Sequence, residues 1–357
     1  MLGLEALIVT APANIRYLSN HAGTAGVLVL TRDDAQLLVD FRYQEAVRAL
    51  QDSPWACPGL HIRGVPASYE EALIACLTEI AVGSAGFEAA HVTVSRYEWW
   101  RETIGGRRLD ITLRPTERLI EQARIVKDAF EIAVLRDAAA RLGEVLPAAL
   151  AAAQAGGATE RSIAAAIEAW MREAGYERPA FDTIVASGPH SAMPHYRAGT
   201  RVVSAGDLLV LDFGGVLDGY CCDLTRTVSI GAPSREARRV YEAVRDAQAA
   251  AIAAVKPGIQ ASAVDAAARQ LLRDRGLGDA FGHGTGHGLG LDIHEEPRVG
   301  APRADVLDLA LMPGMVFTIE PGAYLPGMGG VRIEDDVLVT ESGCELLTTL
   351  PRDLLTL

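Results

Sequence analysis

Four acidic side chains sit inside strongly apolar segments, and the chemistry of this sequence concentrates there: Asp212 in LVLDFGG, Asp223 in CCDLTRT, Glu320 in FTIEPG and Glu334 in VRIEDD. A carboxylate removed from water is costly unless a cation or a set of donors replaces the lost hydration. Between the two acidic pairs runs FGHGTGHGLGLDIHEEP (residues 281–297), where three histidines stand among five glycines at every second position from Gly282 to Gly290. Taken singly, each acid has an ordinary explanation: Asp212 could begin a turn, and Glu334 could be a solvated strand residue beside Asp335 and Asp336. Taken together, four carboxylates and one imidazole carry the four negative charges that two divalent cations balance. An oxygen-rich set with one nitrogen suits Mn²⁺ or Co²⁺ better than a thiolate-preferring metal. Two such cations, about 3.5 to 4 Å apart, hold a hydroxide between them at neutral pH, a nucleophile that needs no serine, cysteine or lysine. The expected reaction is hydrolysis.

These residues need elements that bring them together. DLLVLDFGGVLDGYCCDLTRTVSI reads as a hairpin of two strand-like runs around a Gly/Asp turn, and MVFTIEPGAY and VRIEDDVLVT read as strands. Two helices precede each pair. Residues 127–155 form one, Thr159 caps a second that stops at Gly175, and Ser234 caps a third running to about Lys256. Ser262 with Asp265 gives a capping-box signal for a fourth, ended by Gly276. Helix, helix, paired strands thus occurs twice, a weak internal symmetry of element order. Ahead of it, residues 24–40 read as two strands joined by TRDD, SYEEALIACLTEIAV has helical spacing, and YEWWRETIGGRRLDITLRP gives a short helix and a strand ending at Pro115. That first part is a compact α/β unit without a dense set of candidate ligands.

Composition narrows the classes. With 357 residues, 49% hydrophobic and 22% charged, the chain has core material for two domains. A net charge of −13 repels phosphate backbones, so nucleic acid is not an expected partner. No stretch is long and apolar enough for a membrane span, and MLGLEALIVTAPANIRYL lacks a basic region before an apolar run, so neither a membrane nor a secretory signal is expected and the cytoplasm is the expected location. Five cysteines without C-x-x-C spacing indicate neither a disulfide framework nor a thiolate zinc site. GHGTGHGLG fails the dinucleotide and P-loop patterns, and no H-E-x-x-H occurs.

In their order, LDFGG…CCDLTRT, GHGTGHGLGLDIHE, FTIEPGAY and VRIEDD resemble the pita-bread metallopeptidase family, which includes methionine aminopeptidase, aminopeptidase P and prolidase, with creatinase as a metal-free relative. NIRYLSN and LLVDFRY in the first part are similar to the creatinase-type N-terminal domain of aminopeptidase P and prolidase. The implied fold is α/β (α+β): a creatinase/prolidase-like domain over residues 1–118, then a pseudo-two-fold pita-bread catalytic domain over 119–357. The resemblance implies Asp212, Asp223, His287, Glu320 and Glu334 as ligands of two divalent ions, most simply Mn²⁺ with Co²⁺ and Zn²⁺ as alternatives. Asp223 and Glu334 would bridge. It assigns His195 and His294 to the scissile carbonyl or its oxyanion, Glu320 to proton transfer, and His283, Tyr324 and Arg332 to supporting positions. The implied activity is hydrolysis of the bond between an N-terminal residue and proline, of the aminopeptidase P type. Its alternative is an Xaa-Pro dipeptidase, which needs a cationic side chain such as Arg16, Arg42 or Arg197 for the substrate carboxylate. A binding protein that keeps the shape without catalysis is disfavoured, since no ligand is missing. Peptides with proline in second position are the implied substrates, and a dimer or larger homo-oligomer the implied assembly.

Overall fold

The computed structural model describes residues 3–357, and the chain divides into two compact units, Met1–Arg124 and Ile125–Leu357. The first unit is built on a six-stranded mixed sheet ordered Leu60–Gly64, Ala35–Val39, Val27–Thr31, Ala6–Val9, Ser84–Glu88, Thr112–Thr116. Val27–Thr31 and Ala35–Val39 form the expected hairpin, and Ser68 caps the helix Tyr69–Glu79 by accepting from the Glu71 amide at 3.2 Å. The short helix Leu119–Arg124 belongs to this unit rather than to the second, where the sequence places it. Its Glu121 accepts from Asn14 Nδ2, and Arg124 Nη1 donates to Asn14 Oδ1, each at 2.6 Å. The division therefore falls at Arg124/Ile125.

The second unit contains the repeated order. In its first half, Leu208–Phe213 pairs antiparallel with Leu224–Ser229 on one side and Ile184–Ser187 on the other. Beyond that ladder, Gly215–Leu217 and Tyr220–Cys221 close a tip hairpin around Asp218 and Gly219, whose φ values of 45° and 81° suit a tight turn. In its second half, Val316–Ile319 pairs antiparallel with Asp335–Val339 and with Gly286–Gly288, and Gly322–Leu325 and Gly329–Arg332 close the second tip hairpin. Each long strand read from the sequence is thus two. Pro321, which has no N–H to donate, stands at one of the breaks. All four acids lie at or beside the breaks, where side chains leave the regular pleat.

Helices Ala129–Gln154 and Glu160–Glu173 cover the first half, with Leu142, Leu146, Ile163 and Ile167 packed against Leu209, Leu211 and Leu224. Helices Arg235–Ala254 and Ala261–Asp274 cover the second, with Val240, Val244 and Ala247 against Phe317, Ile319 and Val337. Asp128, Thr159 and Ser234 cap their helices through side-chain oxygens. The Ser262/Asp265 capping box does not form. Gln260 occupies the cap, the Ser262 amide donates to Asp308 at 3.1 Å, and Asp265 instead receives Arg269 and the Thr285 amide and hydroxyl. A distant acid has taken over the capping, leaving Asp265 to fasten the glycine-rich loop.

That loop explains its own composition. A Cβ on Gly286 would stand inside the van der Waals shell of the Thr318 carbonyl oxygen, and one on Gly288 would do the same with Glu296. The glycines let the His287 strand lie between two neighbours at closer range than any side chain permits. Among the described residues all five cysteines are free, and no helix is long and apolar enough to cross a membrane.

Candidate metal centre

The breaks in the four long strands open onto one cavity of about 520 Å³ in the second unit. Asp212, Asp223, His195, His283, His287, His294, Glu320, Arg332 and Glu334 all line it, so one site gathers nine of the ten residues singled out from the sequence. Tyr324 stands just behind the wall. Its hydroxyl accepts from Arg332 Nη1 at 2.8 Å and lies 2.9 Å from His283 Nε2.

The tightest group is Asp223, His287 and Glu334, each offering an atom within 4.8 Å of the others. His287 Nδ1 points at the Gly288 carbonyl oxygen, 3.1 Å away, which leaves Nε2 facing Asp223 and Glu320, each at 3.9 Å. Burial, then the neighbouring His294, lowers the His287 pKa to about 4, so its imidazole is neutral and its lone pair free at ordinary pH. Burial and the charge of Asp223 push Glu334 well above the usual carboxylate range, and burial and Asp212 do the same to Asp223. Burial raises Glu320 to about 8. Asp223 Oδ1 is buried without a hydrogen-bond partner. A cluster of acids that repel one another, one oxygen unsatisfied and one imidazole offering a lone pair, is the donor set of an oxygen-preferring divalent cation.

The two halves of the unit hold each other's acids. Thr225, from the first half, donates through Oγ1 to Glu334 Oε2 at 2.5 Å and accepts the Glu334 amide on its carbonyl at 3.1 Å. Asp336, from the second half, accepts the Asp223 amide at 3.0 Å. Arg332 donates to Asp212 and reaches the Thr225 hydroxyl at 3.2 Å. Its guanidinium is built in among these acids, and it neutralises Asp212 directly.

Sequence reasoning missed Arg226, Arg298 and the burial of Asp335 and Asp336. Asp335 and Asp336 are buried, at 0% and 1% exposure, not solvated. Asp335 receives Arg226 Nη2 at 2.7 Å, and Arg226 Nη1 donates to the Glu334 carbonyl at 2.6 Å, fixing the backbone that carries the Glu334 carboxylate. Arg298 lines the cavity, as does Arg197; of the other two candidate cations, neither Arg16 nor Arg42 lines it. Three successive acids in VRIEDDV were the available signal, because a strand with apolar residues on both sides has no solvent face to give them.

The pKa shifts make a stability prediction. Metal-free protein is expected to lose stability as pH rises from 6.5 to 8. With a folded-state pKa of about 8 against an ordinary 4.5, Glu320 keeps in the fold a proton that the unfolded chain has released throughout this window. His283 and His287, with folded pKa values of about 4, act oppositely, but their contribution is complete above their ordinary value of 6.5. One proton across the window corresponds to about 2 kcal/mol. Thermal melts of chelated protein check it, and a midpoint that held or rose would contradict it.

Comparison with known proteins places this geometry. Residues 133–341 match the model for Metallopeptidase family M24, and residues 1–126 match the Creatinase/Prolidase N-terminal domain. The Xaa-Pro dipeptidase of Pyrococcus furiosus is 44% identical over 237 residues, 66% of this chain and 67% of that one. The solved Xaa-Pro dipeptidase of Bacillus anthracis superposes with a TM-score of 0.92 at 36% identity, covering 99% of this chain and 96% of that one. The X-Pro aminopeptidase of Thermotoga maritima gives 0.88 at 34%, covering 99% and 98%.

Proposed function

Since the chain belongs to metallopeptidase family M24 and carries a creatinase/prolidase N-terminal domain, we propose that it is a dinuclear-metal exopeptidase that cleaves the bond between an N-terminal residue and proline. The observation that supports this most is the convergence of Asp223, His287 and Glu334 on one cavity, with Asp212 and Glu320 on the same wall. Asp212, Asp223, His287, Glu320 and Glu334 would hold the metal ions. When bound, Mn²⁺ or a similar ion supplies a water acidic enough to attack a carbonyl and positive charge for the oxygen that becomes negative.

The remaining chemistry falls to side chains. His195 and His294 stand on the cavity wall with exposed rings, where an N–H can donate to the scissile carbonyl oxygen as charge develops on it. Glu320 Oε accepts the proton of the attacking water and delivers it to the leaving nitrogen. That nitrogen is proline's own and belongs to a tertiary amide with no hydrogen, so the delivered proton becomes the N–H of the secondary amine that departs. Behind them, Tyr324 joins His283 to Arg332 and holds the Asp212 partner in place.

The aminopeptidase scope has support in the Thermotoga maritima relative, and a dipeptidase scope has it in the other two. One observation specifically favours the dipeptidase reading: two guanidinium groups, Arg197 and Arg298, line the cavity and can receive a free carboxylate. The test is a peptide panel on metal-stripped enzyme with Mn²⁺, Co²⁺ or Zn²⁺ restored. An aminopeptidase cleaves Xaa-Pro-Xaa and longer peptides as well as Xaa-Pro. A dipeptidase is expected to cleave only Xaa-Pro and to lose roughly 100-fold in kcat/KM when the receiving arginine is changed to alanine. Activity that survives full chelation contradicts the proposal itself.

A further inference from the structure

Glu160 is a buried carboxylate that the chemistry above leaves unused. It is the first residue of helix Glu160–Glu173 and is 0% exposed. Its Oε1 accepts from the Ser187 amide at 2.9 Å, the Ser187 hydroxyl at 2.7 Å and His190 Nδ1 at 2.9 Å, and its Oε2 accepts from the Gly199 amide at 3.2 Å. The Tyr196 hydroxyl also donates to it. Every one of these donors lies in residues 187–199, the segment that carries His195, Tyr196 and Arg197 to the cavity. His190 stacks on Tyr196, centroids 4.3 Å apart and planes 27° from parallel, and a Cβ on Gly199 would crowd the Tyr196 hydroxyl. The far side of the segment is pinned separately, by Ser191 Oγ accepting the Gly330 amide at 2.8 Å.

A surface loop of this length ordinarily samples many conformations, and ordering it has an entropic cost. Here one anion gathers donors from both ends of the segment. Their hydrogen bonds replace its hydration and also hold its pKa below the ordinary carboxylate value against the effect of burial. A charge so fully satisfied fixes the segment on both sides of His195.

We infer that Glu160 is a positioning residue for His195, acting through the His190–Tyr196 stack and the 187–199 segment without touching substrate. This rests on the reading of His195 as a substrate-facing group. Glu160→Gln keeps the shape but replaces one accepting oxygen by a donor that faces donors. Its kcat on an Xaa-Pro substrate is expected to fall about 10-fold, with KM and the Mn²⁺ affinity of the metal-stripped protein within about twofold of wild type.

The deciding measurement is a double-mutant cycle with His195→Ala. If Glu160 works through His195, E160Q lowers kcat in the wild type and changes it by less than twofold in the H195A background. Multiplying effects, or an unchanged kcat in E160Q alone, overturn the inference. An H195A enzyme as active as wild type overturns the underlying reading of His195 and the inference with it, and is told apart from the other outcomes by that single variant. Should E160Q not fold, His190→Ala, which removes one donor near the rim and leaves the carboxylate its other partners, runs the same cycle with an expected threefold effect.

Discussion

Glu334→Gln is expected to lower kcat/KM by on the order of 1,000-fold, about 4 kcal/mol of barrier, while raising the thermal midpoint of the metal-free protein. The two directions come from one cause. Glu334 is buried beside Asp223, Glu320 and Asp212, and without a cation its burial and their charges push its carboxyl well above the usual carboxylate range. The amide has the carboxylate's shape and can still accept the Thr225 hydroxyl, so packing is conserved while a buried group that is costly to ionise is replaced by one that never ionises. Metal affinity is expected to fall with it, because the proposed ligand set has lost an anionic oxygen. Calorimetric Mn²⁺ titration, peptide hydrolysis and melting of the chelated protein measure the three quantities. A variant that lost activity and metal-free stability together would instead point to a disrupted fold.

Gly286→Ala has the largest expected effect on folding, at least about 3 kcal/mol, the upper end of what overpacking usually costs. The added methyl meets the Thr318 carbonyl, which is backbone within the ladder and cannot turn aside. Strands Gly286–Gly288 and Val316–Ile319 must separate, and they carry His287 and lead directly to Glu320. Gly282→Ala is the control within the same loop. Nothing lies within 4 Å of its Cβ position, and its cost should stay within about 0.5 kcal/mol. Comparable denaturation midpoints for the two variants would refute the account of why the loop is glycine-rich.

The legible part of this molecule was what local chemistry dictates. Apolar strands interrupted by single acids, caps at Asp128, Thr159 and Ser234, and glycine at the ends of helices all have short-range causes, and the structure follows them. What could not be read depends on distant partners. Ser262 and Asp265 have capping-box spacing, yet Asp308 reaches the Ser262 amide first and Asp265 is drawn to Arg269 and Thr285. Asp335 beside Glu334 resembles a solvated acidic patch until Arg226, Gln248 and Thr348 are found around it. Glu160 resembles an ordinary first-turn acid, since its donors lie 27 to 39 positions ahead. The hydrophobic pattern marks where a charge is buried. Which donors surround it is a property of the assembled chain.

The crossing of the two halves, Thr225 holding Glu334 and Asp336 holding the Asp223 amide, has a consequence for biosynthesis. A ribosome that has delivered everything through Glu320 has made four of the five expected ligands but neither Arg332, which donates to Asp212, nor Asp336, which accepts the Asp223 amide. Arg226 waits longer still, since it also grips the carbonyls of Leu350 and Pro351, and the Leu357 amide closes onto Ser229. The acid cluster is therefore assembled only after both halves have been synthesised, and a shorter product that lacks residues 332–351 leaves Asp212 and Asp223 without these partners.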